Sequence, residues 1–256
     1  MADQRKWLYA AAGAATLLAL ISQRRRIALG VTVAWDSAKK LVLARALPRS
    51  ARPYADYIVE AASAEGGPVF ALVGLGDRES RWGALLTPPG PAGVGDLTDR
   101  RNEDGTPRRP PTYGKVPAWG YGLMQIDVES FLDFVKSGAW SDARQNIRKG
   151  ASVLRKKMDY FMAIPGTPGV RLGPTAAARR GVKPGVYRDP RPLGAAAALR
   201  AALSAYNTGE LNVLRSLAAG VAADTTSTGK DYGMDVERRG AAVATAFRAA
   251  GGTAEV

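Results

Sequence analysis

Glu79 is the side chain whose setting most suggests chemistry. It ends an apolar run, Val69-Phe-Ala-Leu-Val-Gly-Leu-Gly-Asp-Arg-Glu79, and sits beside Asp77, Arg78 and Ser80. A carboxyl held against apolar surface keeps its proton to higher pH, because desolvation disfavours the charged form. That is what a general acid near neutrality requires, and glycoside cleavage is the standard use of such a group. At a helix end the same residue also reads as a solvated charge, or as an ion-pair partner of Arg78 or Arg81. A second acid, Asp127, closes the stretch Trp119-Gly-Tyr-Gly-Leu-Met-Gln-Ile-Asp127, which gathers two glycines, two aromatics and an amide around it. If this segment packs across from Glu79, two carboxylates flank a bond. Glu79 then gives its proton to the leaving oxygen, while Asp127 orients a water or supports developing positive charge. The plainer reading of the stretch is a turn leading into a helix, with Asp127 as N-cap ahead of Val128-Glu129-Ser130.

Tyr206-Asn207 adds a ring with a hydroxyl tip and an amide, on a helix that stops near Gly209. Glycine there is explained by helix capping. Tyr and Asn suit a glycan cleft, since sugars are bound by aromatic faces together with amide and hydroxyl hydrogen bonds. The absence of cysteine and histidine removes other chemistries. No disulfide framework, no Ser-His-Asp or Cys-His nucleophile and no Cys/His zinc site can be built. Proton transfer falls to Asp, Glu, Tyr, Lys or water.

The elements that must position these residues are mostly helical in pattern. Trp7 to Ser22 is an uncharged, largely apolar run between Arg5-Lys6 and Arg24-Arg25-Arg26. As a helix it spans about 24 Å, close to the minimum for crossing a bilayer. Its flanking charges are nearly balanced, so they give no clear orientation. Residues 27–53 read as a connector. A helix is expected over about Tyr54 to Ala64, after Pro53 and broken by Gly66-Gly67-Pro68, then a second from Val69. Residues 86–117 and 165–192 are rich in Pro, Gly and charge and read as two long insertions, of the kind that form lids or rims. Helical spacing returns from Ile126 through Phe131, Phe134 and Val135, and continues over Ser141–Phe161, Gly194–Tyr206, 210–219 and 235–250.

The ordered set Glu79-Ser80, Gly-Tyr-Gly-Leu-Met-Gln-Ile-Asp127 and Ala-Tyr-Asn207-Thr-Gly209 resembles the lysozyme-like superfamily of goose-type lysozymes and soluble lytic transglycosylases. The goose type is matched best, with Thr228-Gly-Lys-Asp-Tyr232-Gly-Met-Asp235-Val ahead of a last helix. The resemblance covers roughly residues 54–250, excluding the insertions. It implies a mostly α, lysozyme-like catalytic domain over 54–256, with a deep cleft acting on the β-1,4 bond between N-acetylmuramic acid and N-acetylglucosamine. By the same likeness Glu79 is the catalytic acid and Asp127 helps place the attacking water. Gln125, Tyr206 and Asn207 line the sugar subsites with Tyr232 close by, and Ser80, Tyr121, Gly122 and Met124 count with them as substrate-binding positions. No metal and no organic cofactor is expected. One departure stands out. Goose-type enzymes carry a further Asp shortly before the glycine-aromatic-glycine motif, where this chain has Lys115-Val116; Asp96, Asp99, Glu103 and Asp104 are the available replacements. Without a water-activating acid the sugar's own 6-hydroxyl can attack, giving an anhydro product.

The net charge of +13 calls for a polyanionic partner. Peptidoglycan is the expected one, with the membrane reached through residues 7–22 and other virion proteins as further partners. Nucleic acid is disfavoured, because no helix concentrates Arg and Lys beside base-stacking aromatics. Two settings suit a muramidase with an apolar N-terminal helix: a phage virion, as tail or ejected protein, and a bacterial inner membrane facing the periplasm and wall. The balanced flanking charge and the insertions favour the phage. The competing reading is a non-catalytic wall-binding or structural virion protein that retains the fold.

Overall fold

The computed structural model describes residues 35, 37–102, 104–164, 170–172, 185–187 and 192–253. The apolar run 7–22, most of the 165–192 insertion and Glu103 lie outside these. Among the described residues no helix is long and apolar enough to cross a membrane.

The architecture is mostly α. Helices α1 (Ser37–Ala46), α2 (Ala55–Glu65) and α3 (Val69–Ser80) come first. After an irregular stretch follow α4 (Leu132–Lys136), α5 (Ala143–Phe161), α6 (Ala195–Thr208), α7 (Glu210–Ala218) and α8 (Tyr232–Ala249). The breaks match their local chemistry. Gly66 takes the left-handed conformation that stops α2, and Asp142 starts α5 by accepting the Gln145 N–H.

The two helices that frame the chemistry, α3 and α8, cross at their backbones. A Cβ on Gly74 would lie 2.1 Å from the Val236 carbonyl oxygen, and one on Gly240 would lie 2.3 Å from that of Phe70. Glycine in mid-helix costs roughly 0.5–1 kcal/mol against alanine; here it is the condition for contact between the helices. The alanine-rich α6 buries Ala198, Ala201, Ala202 and Ala205 in the same core, so small side chains again let helices approach.

Residues 86–140 form a second, smaller core of Val94, Ala118, Trp119, Tyr121, Val128, Val135 and Trp140. Its frame is a three-stranded antiparallel sheet of β1 (Val94–Gly95), β4 (Gly120–Tyr121) and β5 (Ile126–Asp127). A separate hairpin pairs β2 (Arg100–Arg101) with β3 (Pro107–Arg108). The first insertion is therefore not structureless. Within the second, β6 (Val170–Leu172) pairs with β7 (Gly185–Tyr187).

The expected helical start at Ile126 is corrected. Gly120 pairs with Asp127 and Tyr121 with Ile126, so Ile126 lies in a strand, and helix begins only at Leu132. Asp127 is correspondingly no helix N-cap, though its Oδ1 does accept the Ser130 N–H at 2.9 Å and stabilises the turn between strand and helix.

Candidate functional site

Glu79 occupies the last turn of α3, where the helix is stopped without glycine. Arg81 takes φ 46°, its N–H reaches the Asp77 carbonyl, and the Trp82 N–H reaches that of Gly76 at 3.2 Å. This stop fixes where the final turn points. Ser80, fully buried, ties it to the β4–β5 hairpin: its Oγ donates to the Leu123 carbonyl at 2.7 Å and accepts the Gly83 N–H at 3.0 Å. From the other side the Tyr232 hydroxyl, at the first residue of α8, donates to Glu79 Oε1. The Tyr206 hydroxyl on α6 donates to the Met124 carbonyl at 2.9 Å, joining a third helix to the same hairpin. The ends of α3 and α6, the start of α8 and the hairpin loop thus converge on one carboxyl.

Its electrostatics follow from that enclosure. Burial pushes the Glu79 carboxyl up to about 7, against smaller downward pulls from the Tyr232 hydrogen bond and the Arg78 charge. The Tyr206 and Tyr232 phenols are both raised well above their ordinary value, first by burial and then by the Glu79 charge. Both hydroxyls keep their protons at neutral pH, so Tyr232 is a standing donor to Glu79. A carboxyl titrating near 7 is divided between acid and base forms at neutrality, which is what a group that must give and retake a proton needs.

The supports are polar side chains, some buried and one exposed. Asp224, 5 % exposed, accepts from Ser204 Oγ at 2.7 Å, the Gly233 N–H at 2.6 Å and the Met234 N–H at 3.1 Å. It satisfies the first amides of α8 and puts negative charge at that helix's positive end, next to Tyr232. Asn207 Oδ1 accepts the Thr228 N–H at 2.8 Å and so anchors the turn before α8. On the hairpin, fully buried Asn146 of α5 accepts the Met124 N–H at 2.8 Å and donates to the Tyr121 carbonyl at 3.0 Å. Gly122, at φ 71°, is required beside it: a Cβ would lie 2.3 Å from Asn146 Nδ2.

Asp127 sits in a different network. Arg100 Nη2 donates to Asp127 Oδ2 at 2.6 Å and to Asp96 Oδ2 at 2.9 Å, while its Nη1 reaches Glu129 at 2.7 Å. The Arg100 and Arg108 guanidiniums both lie over the Trp119 ring, at 4.6 and 4.8 Å from its centroid. Both Asp127 oxygens are therefore engaged, one by Ser130 and one by Arg100. Of the acids considered as replacements for the missing Asp, Glu103 lies outside the described residues; among the others Asp96 is brought to Asp127 through their shared arginine, and Asp104 holds the turn at Thr106.

The sequence-predicted residues accordingly divide. Glu79, Tyr206 and Tyr232 come together, with Ser80, Gly122 and Met124 forming the frame behind them. Gln125, partly exposed at φ 46°, folds its amide back onto the Gly122 carbonyl at 2.8 Å. Several positions expected to touch a ligand serve the frame in this structure. The Tyr121 ring is fully buried against Trp140, and its hydroxyl donates to the Pro111 carbonyl at 2.9 Å. Met124 is fully buried over Gly150, and Ser80 and Gly122 serve the backbone as described. Sequence reasoning passed over Asn146, Asp224 and Arg100, and took Arg78 only as a candidate ion-pair partner of Glu79. Only Asn146 carried a local signal, a polar residue next to Ile147 on the buried stripe of α5.

A cavity of about 420 Å³ between α1 and the start of α2, lined by Lys40, Leu41, Arg52 and Asp56 among others, lies apart from all these residues. Among the described residues no cluster of acidic side chains is placed to hold a metal ion. No protein-family model matches this chain, and no curated protein matches it significantly.

Proposed function

We propose that this chain is a peptidoglycan-cleaving muramidase with a lysozyme-like fold of the goose or lytic-transglycosylase type. The bond cut is the β-1,4 link between N-acetylmuramic acid and N-acetylglucosamine, and Glu79 is the general acid. The observation that carries this reading is the desolvated Glu79 carboxyl at the end of a buried helix, titrating near 7 and held by Tyr232. It is joined by the sequence motifs, whose hairpin and tyrosine segments meet around that carboxyl. Glu79 protonates the leaving glycosidic oxygen as the C1–O bond breaks, and positive charge develops at C1.

A specific feature bears on what captures C1. With Asp127 and Asp96 both paired to Arg100, neither carboxylate is disposed as a general base toward water. Attack by the muramyl 6-hydroxyl, with its proton passing to the Glu79 carboxylate, completes the reaction without a second acid and regenerates the enzyme. The anhydro product is therefore the favoured outcome. We place the protein at the cell wall, carried by a phage virion or tethered to a bacterial membrane through residues 7–22. Its net charge of +13 suits the wall's anionic polymers.

The test is mass spectrometry of purified peptidoglycan digested with the full chain and with Glu79→Gln. Wild type should release muropeptides with anhydro ends, one water lighter than reducing ends, and Glu79→Gln should lose at least ~100-fold in rate. Equal turnover by the variant removes Glu79 from the mechanism. An inert wild type favours the non-catalytic wall-binding protein.

A further inference from the structure

Next to the Glu79 carboxyl in sequence stands a cation that does not pair with it. Among the described residues, Arg78 contacts Asp235 at 2.9 Å, Asp231 at 3.7 Å and the Thr228 carbonyl at 3.4 Å, all at the start of α8. Its guanidinium lies over the Tyr232 ring, 5.4 Å from the centroid, and the hydroxyl of that same ring donates to Glu79. Asp235 is the centre of the arrangement. It is 3 % exposed, and it also takes Arg239 Nε at 2.8 Å and an Arg238 nitrogen, while Arg239 reaches on to Asp77 of α3 at 2.6 Å. A carboxylate so enclosed is held only because cations surround it. Nothing in the proton transfer itself uses it.

We propose that Asp235 is a positioning residue for Glu79, acting through Arg78: it draws the guanidinium onto α8, over the Tyr232 ring, and keeps it from becoming the ion-pair partner of the neighbouring carboxyl. The charged and titratable groups that act on Glu79 are Tyr232 from α8, Tyr206 from α6 and Arg78 from its own helix. Arg78 alone among them is cationic, so where its charge is directed decides how readily Glu79 gives up its proton. An arginine within ~4–6 Å of a carboxylate lowers its titration by about 1–3 pH units. Without Asp235, Arg78 retains only the longer 3.7 Å contact with Asp231, and its charge is free to turn toward Glu79. The catalytic meaning of this device rests on Glu79 being the acid; the device itself does not.

The experiment is a carboxyl carbon-13 NMR titration of the full-length chain, with the Glu79 signal assigned by its loss in Glu79→Gln. Asp235→Asn should move the Glu79 midpoint down by roughly 0.5–1 pH unit, and Arg78→Gln should move it up by about 0.5. Both variants should fold. In the first, Arg239 keeps Asp77 and Arg78 keeps Asp231; in the second, Asp235 keeps Arg238 and Arg239. Opposite shifts from the two members of one ion pair are not produced by mere loosening of α8, which would move both the same way. Midpoints unchanged within 0.2 unit, or displaced in one direction by both substitutions, overturn the proposal. Should the shifts appear in a protein that leaves peptidoglycan intact, the charge-directing role stands and the muramidase reading fails.

Discussion

A carboxyl kept out of water should weaken the fold whenever it ionises, and Glu79→Gln measures by how much. Its titration is raised from 4.5 to about 7, a difference of some 2.5 pH units. At ~1.36 kcal/mol per unit the upper bound is about 3–4 kcal/mol. Partial exposure of the residue lets water screen the charge, so about 1.5–3 kcal/mol is the working range. The sign follows from proton counts. Between pH 4.5 and 7 the native state holds a proton that the unfolded state has released, so stability falls as pH rises through that window and levels off above about 8. Glutamine does not titrate, and its amide oxygen can still accept from the Tyr232 hydroxyl. The variant should match wild type at pH 4.5 and exceed it by about 2 kcal/mol at pH 8, a gain of roughly 4–8 °C in Tm for a chain of this size. Urea unfolding followed by tryptophan fluorescence at the two pH values reads both numbers, and titrations elsewhere cancel in the difference. A variant no more stable than wild type at pH 8 would mean that the carboxyl is not desolvated. An equal offset at both pH values would assign the effect to packing rather than ionisation. Either result removes the physical ground for a neutral-pH acid.

Two further substitutions probe the supports. Tyr232→Phe deletes the hydroxyl that favours the charged carboxylate, so the Glu79 midpoint should rise above its value near 7, by ~0.5–1 unit, in the same NMR titration; a fall would show that the tyrosine acts otherwise. Asn146→Ala leaves the Met124 N–H and Tyr121 carbonyl without their partner inside the core, which should cost about 2–4 kcal/mol in urea unfolding and slow peptidoglycan turnover through a loosened hairpin. A loss under 1 kcal/mol would refute the tether.

How much could be read beforehand depended on the range of the interaction. The break between α2 and α3 at Gly66-Gly67-Pro68, and helix α3 with Glu79 in its last turn, follow from apolar run, glycine and proline, all local. The strand at Ile126–Asp127 does not, because Ile126, Phe131, Phe134 and Val135 mimic helical spacing. Only the pairing of Gly120 with Asp127, and the neighbouring strand at Val94, decide against it. The crossing of α3 and α8 is equally hidden: Gly74 and Gly240 look like weak points in two helices until their backbones are seen in contact. Ion pairs are less legible still. Arg78 and Asp235 stand 157 positions apart, and a chain with 36 basic residues offers every acid many local partners.

Residue type alone does not separate a substrate contact from a framing one. A hydroxyl or amide near a carboxyl can face a sugar or satisfy a backbone amide, and both uses select the same residue types. Ser80, Asn207 and the Tyr206 hydroxyl went to backbone: Leu123, Thr228 and Met124 respectively. That allocation is itself informative about the site. A general acid works only if its oxygen is held within a fraction of an ångström of the proton's destination. Glu79 sits on the last turn of a helix, where the intrahelical ladder has run out of partners. Tethers from that turn to the hairpin, from the hairpin to α6, and from α6 to the turn before α8 supply the missing rigidity. Tyr232 closes the circuit on the carboxyl itself. Most of the residue types that suit a sugar are thus engaged in holding one carboxyl in place, which leaves the partly exposed Gln125 and Tyr206 and the exposed Asn207 as the surface a glycan would meet under the proposed function.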